Sequence, residues 1–259
     1  MTRSASIWTQ GDTFMIFPLY RCMALLTAAL LSMDSQAGIV LNTTRVIYPA
    51  ADKEVSFGVH NTGSGEILLQ SWLEPNADNL DSGSLPFVVT PALARLHGDG
   101  RQLLRIIYAG TDMPSDRESV LWLNVQEIPQ AVPENSLQVA IRQRIKVFFR
   151  PEGLQGDAAQ APQMLRWRLG PSGLQVDNAG AYHVSMVKLA LQQGSDMLMS
   201  KDSQMIAPGQ SLQFPVEHRP KDTAVTLSFI SINDFGGQES YRASLKAGQV
   251  AQAVKVEPR

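Results

Sequence analysis

Residues 137–150, LQVAIRQRIKVFFR, constrain this chain more than any other stretch, because apolar and polar side chains alternate there almost without interruption. Leu137, Val139, Ile141, Gln143, Ile145, Val147 and Phe149 share one face, and Gln138, Ala140, Arg142, Arg144, Lys146, Phe148 and Arg150 share the other. A period of two belongs to a β-strand with one apolar face. The stretch is 14 residues long, against about 5–6 for an ordinary strand, so it is expected to run past the core of its own domain. Two readings remain open at this point. It is a long central strand of a sandwich, which alternation alone favours. Or it is an edge strand, an aggregation hazard unless partnered, which takes up a guest chain by β-augmentation.

The flanking sequence is also all-β. Alternating runs at 39–45, 55–60, 67–73, 103–108 and 120–128 are punctuated by turn-forming residues at 61–65, 75–76, 81–83, 97–100 and 113–116. Runs resume at 165–169, 174–177, 183–191, 211–216, 224–232 and 238–245. Strands at such spacing indicate sandwiches. The intervening residues 151–162 are rich in Gly, Pro, Ala and Gln and read as a linker. The expected domains are therefore 38–152 and 153–259. A chain of 259 residues with 44% apolar content can fill two cores. Its formal net charge of −2 provides no basic field for nucleic acid.

Residues 1–37 are expected to be an export signal. Arg21 precedes the apolar run MALLTAALL at 23–31, and Ser35-Gln36-Ala37 offers a small-x-Ala cleavage site before Gly38. Met15 is an alternative start. The apolar run of 9 residues is too short for a bilayer span of roughly 20. The sole cysteine, Cys22, lies in this segment, so the chain from Gly38 onward contains no disulfide and relies on its cores.

Four motifs then fall in a recognisable order: TRVIYP at 44–49, DRESVLWLNVQEIP at 116–129, RIKVFFRP at 144–151 and INDFGG at 232–237. Together they resemble the periplasmic pilus (fimbrial) chaperones of the PapD/FimC type over about residues 38–245. The resemblance implies two immunoglobulin-like β-sandwich domains in a boomerang arrangement with a cleft between them. It also implies that the chain holds fimbrial subunits one to one, without ATP or another cofactor, and delivers them to an outer-membrane usher. In such a chaperone the long strand completes the open sandwich of the subunit. By position, Arg45 and Lys146 match the cations that grip the subunit's terminal carboxylate, a group suited to charge-assisted hydrogen bonds. Leu137, Val139 and Ile141 match the residues that enter successive subunit pockets, and Asn135 falls where a fourth would lie. Glu118, Arg150 and Asp234 match a charged triad that bridges the domains. Arg142 and Arg144 are expected to be solvated. The short connection 130–136 is similar to the branch that builds rod-like pili. The segment 178–182 departs from the family by lacking prolines, and Thr90-Pro91-Ala92 lacks a second one. The sequence leaves open whether the free chain caps its donor strand as a homodimer.

The competing classes are a structural fimbrial subunit or adhesin built of tandem sandwiches, and a hydrolase. The residues offer little for chemistry. His60, His97, His183 and His218 are scattered without metal-ligand spacing, and are read as inert. Ser185-x-x-Lys188 matches a nucleophile motif that needs a helix start, whereas its surroundings alternate like a strand. No small-molecule substrate is expected.

Overall fold

The computed structural model describes residues 38–76, 85–131, 135, 137–216 and 224–257. The expected export segment, Cys22 and His218 lie outside the described residues. Two immunoglobulin-like sandwiches follow one another along the chain. In the first, one sheet has the order β1 (Ile39–Leu41), β3 (Glu54–Asn61), β7 (Arg101–Tyr108), β5 (Phe87–Thr90). The facing sheet has the order β2 (Arg45–Pro49), β9 (Arg142–Arg150), β8 (Ser119–Pro129), β4 (Ile67–Pro75), β6 (Leu93–Leu96).

Alternation puts Leu121, Leu123 and Val125 of β8 and Val147 and Phe149 of β9 into the space between the sheets. They meet Phe57, Val59, Leu104 and Ile106 from the other side. Tyr48 fills the middle. Its ring packs within 5.7–6.4 Å of Phe87, Phe149 and Tyr108, centroid to centroid. Its hydroxyl donates to the Lys53 carbonyl at 3.0 Å and accepts the Tyr108 amide at 3.1 Å, so the buried oxygen is fully used.

The run at 39–45, expected as one strand, is two. Asn42 pairs with Gly58 through its backbone N–H and through its side-chain Oδ1, which accepts the Gly58 amide. Thr43 Oγ1 accepts the Arg45 amide at 3.3 Å. These local bonds turn the chain between β1 and β2. The chain changes sheets there, and β2 joins β9 in parallel with Arg45 opposite Lys146.

The second sandwich has β14 (Ser211–Phe214), β11 (Gly173–Asp177), β10 (Arg166–Gly170) and β17 (Val250–Ala251) in one sheet. The other holds β13 (Asp196–Ile206), β12 (Val184–Gln193), β15 (Val225–Ile232), β16 (Gln238–Leu245) and β18 (Val254–Val256). Its centre is an aromatic column, with Trp167 5.5 Å from Phe229 and Phe229 stacked on Tyr241 at 5.3 Å. The segment read as a linker is not free chain. It contains a short helix, α1 (Ala161–Met164), and Leu154, Ala158 and Ala161 pack on the second core. Truncating Trp167 to Ala should cost about 3–5 kcal/mol, read as a lowered urea midpoint for the second domain. A loss under 1 kcal/mol would contradict the assignment of its core.

Candidate functional site

Strand β9 has different neighbours on its two sides. Strand β8 pairs with it along its whole length, from Ser119–Phe149 to Gln126–Arg142. On the other side β2 covers only Lys146 to Arg150. Upstream of Lys146 that edge has no strand partner among the described residues. The nearest contact is the Gln143 side-chain amide, which donates to the Ile39 carbonyl at 2.7 Å.

The expected strand of 14 residues is thus shortened to nine. Its last backbone bond on the β8 side runs from the Glu127 amide to the Ile141 carbonyl at 3.1 Å. Residues 137–140 lie beyond the ladder, where no strand among the described residues pairs with them. Exposure climbs along the same parity that buries Val147 and Phe149: Ile141 is 38% exposed, Val139 65% and Leu137 93%. Asn135 has a φ of 65°, a left-handed turn conformation that Asn tolerates, so it does not extend the apolar series.

Lys146, Phe148 and Arg150 point the opposite way, and Phe148 and Arg150 meet residues of the second domain. Arg45 joins them from β2. Its Nη1 donates to the Ile232 carbonyl at 2.8 Å, its guanidinium lies 5.6 Å from the Phe148 ring centre, and its Nε has no hydrogen-bond partner among the described residues. Lys146 lies beside it, with its ammonium 5.6 Å from the Trp122 ring. No carboxylate among the described residues comes within ion-pair distance of either. Burial lowers the pKa of Arg45, against the pull of Asp234 and Glu118. Burial, and then the Arg45 charge, lowers that of Lys146. Two half-buried cations side by side without a contacting anion favour an incoming carboxylate.

Beside this pair, Arg150 joins two carboxylates. Its Nε and Nη2 donate to Glu118 Oε2 at 3.1 and 2.8 Å, and Nη1 and Nη2 donate to Asp234 at 2.7 and 3.1 Å. Burial pulls the Arg150 pKa down, yet its bonds to Asp234 and Glu118 outweigh this and hold it above the ordinary value. Glu118 precedes β8 in the first sandwich, whereas Asp234 lies between β15 and β16 of the second, so the guanidinium ties the domains together.

His183, expected to be inert, instead completes the network. Its side chain is fully buried, and both its backbone N–H and its Nδ1 lie 2.9 Å from Glu118 Oε1. Its ring meets Phe148 edge-on at 5.8 Å. The Glu118 amide also donates to the Ala181 carbonyl at 2.9 Å. A histidine directly before a strand, in a chain whose charged motif lies 65 residues away, was the only sequence signal.

Arg142 and Arg144 are exposed, as expected, and each also lies over an indole. The Arg144 guanidinium lies 4.2 Å from the Trp122 ring centre and its Nη2 is 3.3 Å from Glu74 Oε2, while Arg142 lies 5.9 Å from the Trp72 ring. Their edges remain in water, but their faces cover indoles. Trp72 Nε1–H donates to Glu74 at 2.9 Å and, as the main cause, holds that carboxyl below its usual range.

In the segment without prolines, buried Asn178 organises the loop. Its Nδ2 donates to the carbonyls of Tyr182 and Ala207, and its Oδ1 accepts the Gly180 amide. Ser185 lies within β12, and Lys188 is exposed at a bulge with φ 51°, so the pair does not form a helix-borne nucleophile site. His60 and His97 face Asp99 and Glu66 at the surface. No cluster of three metal-ligating side chains occurs among the described residues.

Residues 38–155 match the family described as pili and flagellar-assembly chaperone, PapD N-terminal domain, and residues 160–243 match the pili assembly chaperone PapD C-terminal domain. The chain is 37% identical over 229 residues to the probable fimbrial chaperone YadV of Escherichia coli K12, covering 83% of this chain and 93% of that protein. It is 38% identical over 229 residues to the chaperone protein FimB/FhaD of Bordetella pertussis, covering 84% and 92%. The YadV crystal structure matches with a TM-score of 0.70 at 37% identity over 81% of this chain and 100% of its own. The complex of the Salmonella enterica SafA pilin with the SafB chaperone provides a match with a TM-score of 0.66 at 27% identity, over 80% and 96%.

Removing Glu118 should leave the buried His183 donors without an acceptor and Arg150 with Asp234 as its one carboxylate among the described residues. Glu118→Ala is expected to cost about 1–3 kcal/mol through the unsatisfied His183 donors, and Glu118→Gln distinctly less, as measured by urea denaturation.

Proposed function

The chain belongs to the PapD-like family of pili-assembly chaperones, a chaperone family and not an enzyme family, and on that footing we propose that it holds fimbrial subunits in the periplasm, one to one, until an outer-membrane usher takes them. The observation that carries this reading is the place where β2 stops. Arg45 and Lys146 mark the point at which β9 loses its inner neighbour. A guest chain whose terminal carboxylate reaches these cations lies in line with β2. It therefore runs parallel to β9 and occupies the open edge upstream.

The carboxylate sets the register. With the end of the guest fixed, Leu137, Val139 and Ile141 face into the guest's own core, and a slip of one residue would turn all three outward. Burying each contributes roughly 1.5–3 kcal/mol before the cost of association. Arg provides a planar fork and Lys a compact charge for the carboxylate. The Arg150 network holds the second domain against this arrangement through the Arg45–Ile232 bond and its own ion pairs. A tandem-sandwich structural subunit is the less favoured reading, since the relatives named above are chaperones.

Tagged protein co-expressed with fimbrial subunits should recover a one-to-one complex. The double change Arg45→Ala/Lys146→Ala should abolish it, because each charge-assisted bond contributes about 1.5–3 kcal/mol. Capture that survives the double change would sink the proposal. The lowered pKa of Lys146 adds a pH signature. A lysine is charged only below its pKa, so capture should weaken as pH rises through values below the ordinary 10.5. Lys146→Arg should remove that alkaline limb.

A further inference from the structure

Phe235 is 97% exposed, and among the described residues no large apolar side chain is barer. Its backbone, however, is tightly held. Asn233 Oδ1 accepts the amides of Phe235 at 3.1 Å and Gly237 at 2.8 Å, the Gly236 amide donates to the Asn233 carbonyl at 2.9 Å, and Asn233 Nδ2 donates to Glu239 at 3.2 Å. The preceding residue, Asp234, is clamped by Arg150.

The following residue, Gly236, has a φ of +81°, and a Cβ placed on it would lie 2.6 Å from Thr44 Oγ1. Only glycine fits both the conformation and the approach. The turn is thus pressed against the residue directly before Arg45, where the guest chain would end. Phe235 lines a cavity of about 300 Å³ together with Arg45, Phe148 and Arg150.

An aromatic ring on a braced turn loses little freedom on binding, and such rings are typical anchors of interfaces. We propose that Phe235 receives the last side chain of the guest and selects an apolar or aromatic residue next to its terminal carboxylate. This rests on the reading of Arg45 and Lys146 as the carboxylate grip. Phe235 adds side-chain selection from the second domain, whereas the cations and the donor strand belong to the first. Because the ring is solvent-exposed, replacing it leaves both cores and the interdomain ion pairs in place.

The test uses short fluorescein-labelled peptides of alternating valine and threonine that differ only in the last residue, phenylalanine or serine, each with a free or an amidated C-terminus. Fluorescence anisotropy reads their affinity for the full chain and for Phe235→Ser. The phenylalanine-ended acid should bind about tenfold more tightly than the serine-ended acid. Phe235→Ser should erase that preference and leave the serine-ended acid unchanged. A preference that persists in Phe235→Ser overturns the inference while the carboxylate grip stands. Affinities indifferent to amidation overturn the grip itself, and the inference with it.

Discussion

Strand β2 pairs with β9 over five residues and begins at Arg45, and the hydrogen-bonding needs of a backbone make that starting point decisive. Every second residue of β9 upstream of Lys146 turns its N–H and C=O to an inner edge that no strand of the described residues meets. The same boundary brings a guanidinium and an ammonium into neighbouring register positions at a half-buried place. The open edge and the adjacent cation pair therefore share one cause, the turn at residues 42–44 that moves the chain from one sheet to the other.

The interdomain network works on a different principle. Glu118 and His183 are removed from water, Arg150 is partly so and Asp234 stands at the rim, and buried charges gain little net stability because desolvation offsets attraction. What they provide is direction. Glu118 has one oxygen occupied by Arg150 and the other by His183, so its carboxyl cannot rotate without losing bonds on both sides. Arg45 then reaches across to a carbonyl whose position this clamp determines.

Much of this was legible because strand periodicity is local. The parity of residues 137–150 assigned each side chain to a face, and the structure keeps that assignment from Ile145 to Phe149. Where β9 begins was not legible, since a strand ends where its partners end, and the partner of Ile141 is Glu127 in another strand. The role of His183 was hidden for the same reason, as its carboxylate comes from a distant segment. The partners of the solvated Arg144, Trp122 and Glu74, were hidden because they belong to two further strands. Short strands such as β5 and β6, separated by Pro91, are too brief for a periodic signal. The motifs at 44–49, 144–151 and 232–237 were informative because family resemblance carries tertiary information that alternation lacks.

An unpaired edge bearing exposed Leu137, Val139 and Ile141 invites association between copies of the chain. The other face of the same segment counters it. Arg142, Arg144 and Lys146 recur at every second position, and although Glu74 offsets Arg144, two copies laid edge to edge would bring cationic side chains together. They act as gatekeepers, raising the cost of self-stacking. With their apolar surfaces resting on indoles and their charged rims in water, the arginines give the strand colloidal protection without covering its sticky face.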